Sequence, residues 1–231
     1  MIFPDAYIIP KPSTLVKTIF ITGIGTEIGK TVVAAIVAEA LQADYWKPVQ
    51  AGYEPATDTQ WIENVLSNTI SKIHPELYKL KLAASPHIAA REEGMRINLG
   101  EIKSRLTLIQ SEIKSANPIL IIEGAGGLMA PLNNTEFAAD LIRQLNSKVI
   151  LVSRNYLGSI NHSLLTAEVC KYYKLDVAGW IFNDQYLSYE DEIVHWSGFP
   201  KIAAIPFSHQ PDKNFILQQA AVIRQDLEKM L

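Results

Sequence analysis

One stretch constrains this chain more than any other. A short apolar run at residues 18–22 (TIFIT) opens into Gly23-Ile24-Gly25-Thr26-Glu27-Ile28-Gly29-Lys30-Thr31, and an apolar, helix-forming segment follows. Strand, glycine-rich loop, Gly-Lys-Thr and helix, in that order, make a cradle for phosphate. Glycines let backbone N–H groups wrap phosphate oxygens, and the helix N-terminus adds the positive end of a dipole. Lys30 can reach β and γ phosphates, and the Thr31 hydroxyl can hold Mg²⁺. The spacing departs from the strict pattern, which has glycine where Ile24 stands; here Gly23 comes one residue earlier. An ordinary glycine turn before a helix would not require Gly-Lys-Thr in this context.

The rest of the chain continues the alternation. Apolar runs at 45–49, 119–122, 149–152, 177–182 and 202–205 are separated by segments suited to helices at 30–42, 58–68, 137–146, 159–173 and 214–231. Runs apolar at every position suit strands covered on both faces. The last helix places Ile216, Ala220, Ile223, Leu227 and Met230 on one stripe. This pattern predicts an α/β fold, a P-loop NTPase-like parallel sheet flanked by helices on both faces. Ligands in such folds bind at the carboxyl ends of the strands. Residues 17–231 are expected to form a single domain, preceded by an extended arm at 1–16 that carries Pro4, Pro10 and Pro12.

Composition excludes several classes. Lysine plus arginine is 21 against 24 for aspartate plus glutamate, a net charge of −3, so there is no cationic excess for a nucleic-acid partner. An apolar content of 48% excludes a disordered chain. The one cysteine, Cys170, can form neither an internal disulfide nor a thiolate metal site, which fits a reducing, cytoplasmic compartment. The start lacks the cationic and long apolar stretches of a secretory signal. The longest apolar runs fall short of the ~20 residues of a bilayer span, so no membrane partner is expected.

The strand ends hold the candidate chemistry. Lys47, in Lys47-Pro48-Val49-Gln50-Ala51-Gly52, is either a lysine snorkelling from a sheet edge or a second cation aimed at the phosphate cleft. Thr57-Asp58-Thr59-Gln60 reads as a capping box. Asp58 then sits in a first helical turn, favoured there by the dipole or serving as an oxygen ligand for Mg²⁺. The run at 119–122 ends in Glu123, followed by Gly124-Ala125-Gly126-Gly127. A carboxylate there is placed to orient Mg²⁺, and the glycines let a ligand approach the backbone. Asn183-Asp184 offers an amide for a base edge, although Asn-Asp is also common turn chemistry. His162 reads as a helix-face histidine, and His74, His195 and His209 have no companions that suggest a triad or a metal site.

Together, GIGTEIGKT (23–31), KPVQAG (47–52), SPHIAAREEG (85–94), IIEGAGGLMAPL (121–132), LGSINHSLLTAEV (157–169) and AGWIFND (178–184) resemble the dethiobiotin synthetase family over about residues 17–207. The resemblance implies an ATP- and Mg²⁺-dependent cyclo-ligase acting on diaminopelargonic acid (7,8-diaminononanoate) and CO₂, built as a homodimer with the substrate site at its interface. It implies catalysis by Lys47 and Lys30, and metal ligation by Thr31, Asp58 and Glu123. ATP binding would fall to Glu27, Ile28, Gly29, Lys30, Thr31, Val32, Asp58, Glu123, Gly124, Ala125, Gly126, Asn183, Asp184, Pro206, Phe207 and Ser208. The other substrate would be held by Thr26, Lys47, Ala51, Gly126 and Asn161, the last from across the interface.

Three positions depart from the family pattern. Gly25 stands where many members have aspartate, Ala51 where members often have a hydroxyl, and Tyr156 where some have lysine. The rival reading is a partitioning-type P-loop ATPase switch that dimerises on DNA or membrane. Such switches usually carry a lysine near Gly25 and a basic surface or tail. Here the last helix sets Arg224 and Lys229 against Asp226 and Glu228, leaving no cationic face.

Overall fold

A computed structural model describes residues 15–115, 118–184 and 186–230. Residues 1–14 of the expected arm lie outside them. The first half runs β1 (Lys17–Gly23), α1 (Lys30–Leu41), β2 (Asp44–Trp46), β3 (Val49–Ala51), α2 (Asp58–Val65), β4 (Ile73–His74), β5 (Tyr78–Leu80), α3 (Pro86–Glu92) and α4 (Leu99–Glu112). The second half runs β6 (Ile119–Glu123), α5 (Ala138–Leu145), β7 (Lys148–Arg154), α6 (Ser159–Tyr173), β8 (Val177–Asn183), α7 (Glu190–Ser197), β9 (Lys201–Ile205) and α8 (Lys213–Met230).

Seven strands form a parallel sheet in the order β4-β2-β6-β1-β7-β8-β9. Side chains alternate between its faces, as the period of a strand requires. Ile19 and Ile21 of β1 enter one core with residues of α1, α2 and α8. Phe20, between them, enters the other with residues of α3 to α7. Helices therefore cover both faces, as the continuous apolar runs predict. The buried stripe of α8 is Ile216, Ala220, Ile223 and Leu227.

One expected element is corrected. The run at 45–49 is not a single strand. It breaks at Lys47-Pro48, with β2 in the main sheet and β3 paired in parallel with β5 in a separate two-stranded sheet. Pro48 has no N–H for a ladder, so a central strand cannot continue through it. The break turns Lys47 out of the ladder at the carboxyl end of β2.

From β1 the chain passes through α1 to β2 on one side of the sheet, and later reaches β7 on the other. Such a reversal opens a crevice at the carboxyl ends of the central strands, which is where a ligand site belongs.

Candidate active site

The loop after β1 passes into α1 through Gly29, whose φ of +85° is left-handed. A side chain there would also collide with the amide of Asn183. That amide donates from Nδ2 to the Ile28 carbonyl at 2.7 Å and ties the loop to the end of β8. A left-handed alanine costs about 1–2 kcal/mol before the collision is counted. Gly29→Ala is therefore expected to displace the loop and weaken ADP binding by about tenfold, an effect worth roughly 1.4 kcal/mol. Calorimetric titration giving wild-type affinity would contradict this account.

A cleft of about 1110 Å³ lies over the strand ends. It gathers Thr26, Glu27, Gly29, Lys30, Thr31 and Val32 from the loop and α1, Lys47 and Ala51 from the β2–β3 region, Asp58 from α2, and Glu123 to Gly126 from the end of β6. A cavity of about 130 Å³ on the other side of the loop is lined by Glu27, Ile28, Gly29, Asn183, Asp184, Pro206, Phe207 and Ser208. The residues predicted for ATP thus surround two adjoining spaces joined at the loop. Asn161 lines neither: it is exposed on the first turn of α6.

The centre of the cleft is an ion cluster. Lys47 Nζ lies 2.6 Å from Asp58 Oδ2 and 2.7 Å from Glu123 Oε1. Thr31 Oγ1 donates to the same Glu123 oxygen at 2.8 Å, and Tyr45 OH donates to Oε2 at 2.8 Å. Glu123 is 1% exposed, so its charge depends on these donors. Burial pushes the Lys47 pKa down, but the carboxylates of Glu123 and Asp58 outweigh it, and the pKa is raised. Lys30 has no such direct pairing. Its Nζ donates to the Gly25 carbonyl at 2.5 Å, and burial lowers its pKa to about 8 against the pull of Glu123. A phosphate beside Lys30 would offset that loss of hydration.

Asp58 is positioned by local chemistry. Thr57 accepts from the Gln60 backbone N–H at 3.1 Å, and Gln60 Oε1 accepts from the Thr57 N–H at 2.9 Å, a complete capping box. Such a cap contributes about 0.5–2 kcal/mol. Gln50 adds a second hold. Its Oε1 accepts from the Asp58 N–H at 3.2 Å, and its Nε2 donates to Gly52 O at 2.7 Å. Gln50 therefore fixes the start of α2 next to Ala51.

Several contributors were not singled out from the sequence. Ser85 and Pro86 of the SPH segment and Thr166 of α6 line the main cleft, as does His162, which from the sequence reads only as a helix-face histidine. They lie inside or beside the quoted motifs, and that was the available signal. Arg154, at the end of β7, lines the small cavity and places Nε 3.5 Å from Asp184 Oδ2. Tyr45 carried no signal, since an aromatic in an apolar run reads as core. Cys170 is buried, and burial raises its pKa to about 12, so it is an inert packing residue. Among the described residues no helix is long and apolar enough to cross a membrane.

A glycine loop closed by Gly-Lys-Thr at the central strand of a parallel sheet, facing a carboxylate at the end of the neighbouring strand, defines the P-loop nucleotide-dependent proteins. Solved structures agree on the fold: a MinD cell division ATPase of Pyrococcus furiosus superposes with a TM-score of 0.58, at 13% identity, over 94% of this chain and 100% of that one. A ParA family ATPase of Chlorobium tepidum gives 0.55 at 14% identity over 94% of each. At such identities the likeness concerns the fold alone, so it lends nothing to the partitioning-switch reading. A family model described as an AAA domain matches residues 17–214. An ATP-dependent dethiobiotin synthetase of Cytophaga hutchinsonii is 54% identical over 167 residues, 72% of this chain and 77% of the relative. Another, of Christiangramia forsetii, is 49% identical over 72% and 76%. The chain belongs to this AAA-domain family and, within it, to the ATP-dependent dethiobiotin synthetases.

Proposed function

We propose that residues 17–231 form one ligase domain that closes the ureido ring of dethiobiotin from 7,8-diaminononanoate, CO₂ and ATP, releasing ADP and phosphate. The observation that carries this reading is Lys47, a buried ammonium beside the phosphate loop in a cleft large enough for a triphosphate end and a second substrate. One amine of the substrate takes up CO₂ and loses a proton to give a carbamate. A carbamate oxygen attacks the γ-phosphorus, and ADP leaves. The second amine attacks the carbonyl carbon of the resulting carbamic–phosphoric anhydride, loses a proton and expels phosphate.

Both partners of the phosphoryl step are anionic, so fixed cations must offset their repulsion. Lys30 from the phosphate loop and Lys47 from the end of β2 both line the cleft, and this reading gives them that task. Thr26, Ala51 and Gly126 border the space left for the diamino acid. Asn183, with Pro206 and Phe207, bounds the cavity assigned to adenine.

Thr31, Asp58 and Glu123 fit Mg²⁺. Their donors are all oxygen, as this ion demands. The two carboxylates already converge on one cation, since both touch the Lys47 ammonium. Bound there, Mg²⁺ would neutralise charge on the β and γ phosphates. Lys47 pairs with both carboxylates, at 2.6 Å from Asp58 and 2.7 Å from Glu123, and would remain as the cation beside the transferring phosphoryl group if they held Mg²⁺.

The proposed homodimer accounts for Asn161. Near it, Leu157 is 83% and Leu165 is 59% exposed, apolar surface suited to a second copy. Asn161 would then meet the distal carboxylate of the substrate in the partner's cleft. Asn161→Ala is expected to raise the KM for 7,8-diaminononanoate about tenfold, roughly one lost charge-assisted hydrogen bond, and to leave the KM for ATP unchanged. A KM for 7,8-diaminononanoate equal to that of wild type would remove Asn161 from the site. The buried, single Cys170 fits the reducing conditions of the cytoplasm.

The direct test is ADP release measured with and without 7,8-diaminononanoate and bicarbonate. Release that requires both, with dethiobiotin formed in equal amount, is expected. Release stimulated by DNA or lipid vesicles instead would overturn the ligase reading.

A further inference from the structure

Glu123 divides its hydrogen bonds between two sides. The donors to Oε1, Thr31 and Lys47, both line the cleft. The donor to Oε2 is Tyr45, which lies beneath the cleft and is fully buried.

The sheet register explains the reach. Tyr45 pairs with Ile121 across β2 and β6, so their side chains share a face. Glu123 lies two residues beyond Ile121 and projects to that same face. The phenol therefore runs diagonally under the sheet end to meet the inner carboxylate oxygen. It belongs to the same core cluster as the aliphatic Ile62, Ile119 and Ile121, and the carboxylates of Asp58 and Glu76 also lie near enough to act on the phenol. Packing alone would be served by phenylalanine. A buried hydroxyl needs a partner, and here that partner is Glu123.

We infer that Tyr45 is a positioning residue for the reaction: its hydroxyl holds Glu123 by Oε2 and so presents Oε1 to the cation and phosphates in the cleft. A carboxylate free to rotate would spread its charge over several orientations, and Oε1 would face Thr31 and Lys47 only part of the time. The inference rests on the proposed role of Glu123 as a ligand of the divalent cation. Supporting donors behind a ligand typically change metal affinity or activity by about 10- to 100-fold when removed.

Tyr45→Phe in the full chain tests it, with Mn²⁺ as the probe. Paramagnetic resonance of free Mn²⁺, titrated in the presence of ADP, reads affinity without turnover. The expected result is an about 10- to 100-fold weaker Mn²⁺ site, a matching rise in the Mg²⁺ needed for half-maximal turnover, and an unchanged KM for 7,8-diaminononanoate. The substitution removes one oxygen and no carbon, so packing is kept, but it takes a donor from a buried carboxylate, and the melting temperature should fall by several degrees while the protein stays folded. Wild-type Mn²⁺ affinity in Tyr45→Phe, with or without a lower melting temperature, would overturn the inference and leave Tyr45 as packing. Failure of the wild-type protein itself to bind Mn²⁺ with ADP would overturn the metal reading of Glu123, and this inference with it.

Discussion

Lys47→Gln is expected to lower turnover by about 10²–10³-fold, the loss typical when one preorganised donor to developing charge is removed, while ADP and ATP still bind. Nucleotide binding survives because the loop amides, Lys30 and the small cavity are untouched. The chemical step suffers because a carbamate oxygen must approach a γ-phosphate that already bears negative charge. Lys30 lines the cleft from the phosphate loop, and Lys47 lines it from the end of β2 beside Asp58 and Glu123. Glutamine keeps a donor for Glu123 but removes the charge that pairs it, a loss of about 3–5 kcal/mol, so a thermal melt accompanies the assays and turnover is compared below the variant's melting temperature. Phosphate release at saturating substrates, beside ADP binding by calorimetry, checks both halves. Turnover within a few-fold of wild type would show that the ammonium acts only as a structural counter-ion for Asp58 and Glu123.

Glu123→Ala should have the other large effect, on stability and cation use together. It strips Tyr45 and Thr31 of their shared acceptor and leaves Lys47 buried with Asp58 as its remaining charge partner. Breaking a buried pair costs about 3–5 kcal/mol. Asp58 is partly exposed and still compensates, so the lower end applies. At roughly 2–4 °C per kcal/mol for a chain of this size, the melting temperature should fall by about 6–12 °C. The Mg²⁺ concentration for half-maximal turnover should rise by about tenfold or more. A thermal melt and a Mg²⁺ titration separate the two effects. An unchanged Mg²⁺ requirement with a lowered melting temperature would leave Glu123 a structural role only.

Local signals were legible wherever the chemistry is contiguous in the chain. The phosphate loop reads directly because its glycines, Lys30 and Thr31 are neighbours, and Gly29 needs its left-handed backbone for reasons that a Gly-Lys-Thr sequence announces. The capping box at Thr57 and Gln60 is equally local. The segments expected to be helical at 137–146 and 159–173 correspond to α5 and α6 within a residue. Other elements escaped notice for identifiable reasons. β4 and β5 are two and three residues long, too short to show a period. The buried positions of α4, Leu99, Ile102, Leu106 and Ile109, do keep helical spacing. Intervening charges and hydroxyls dilute that stripe.

Taken alone, the sequence determined the class of fold, the phosphate cradle and the membership of a ligase family, because each rests on residues close together or on ordered motifs. Residue chemistry alone left Lys47 open between a snorkelling side chain and a second cation, the family resemblance assigned it to catalysis, and Tyr45 carried no signal of its own. Tertiary structure showed where the two side chains lie, Lys47 between Asp58 and Glu123 and Tyr45 against the other oxygen of Glu123. Thr31 and Glu123 are 92 positions apart, and Lys47 and Glu123 are 76 apart. Parallel pairing sets β2 directly beside β6, which brings their carboxyl ends, and the side chains just beyond them, into one cleft. The pleat then sends Tyr45 to the face of Glu123, while Pro48 ends the ladder and frees Lys47 to turn toward Asp58. No spacing along the chain encodes that convergence. It follows from which strands lie side by side and from which face each side chain takes.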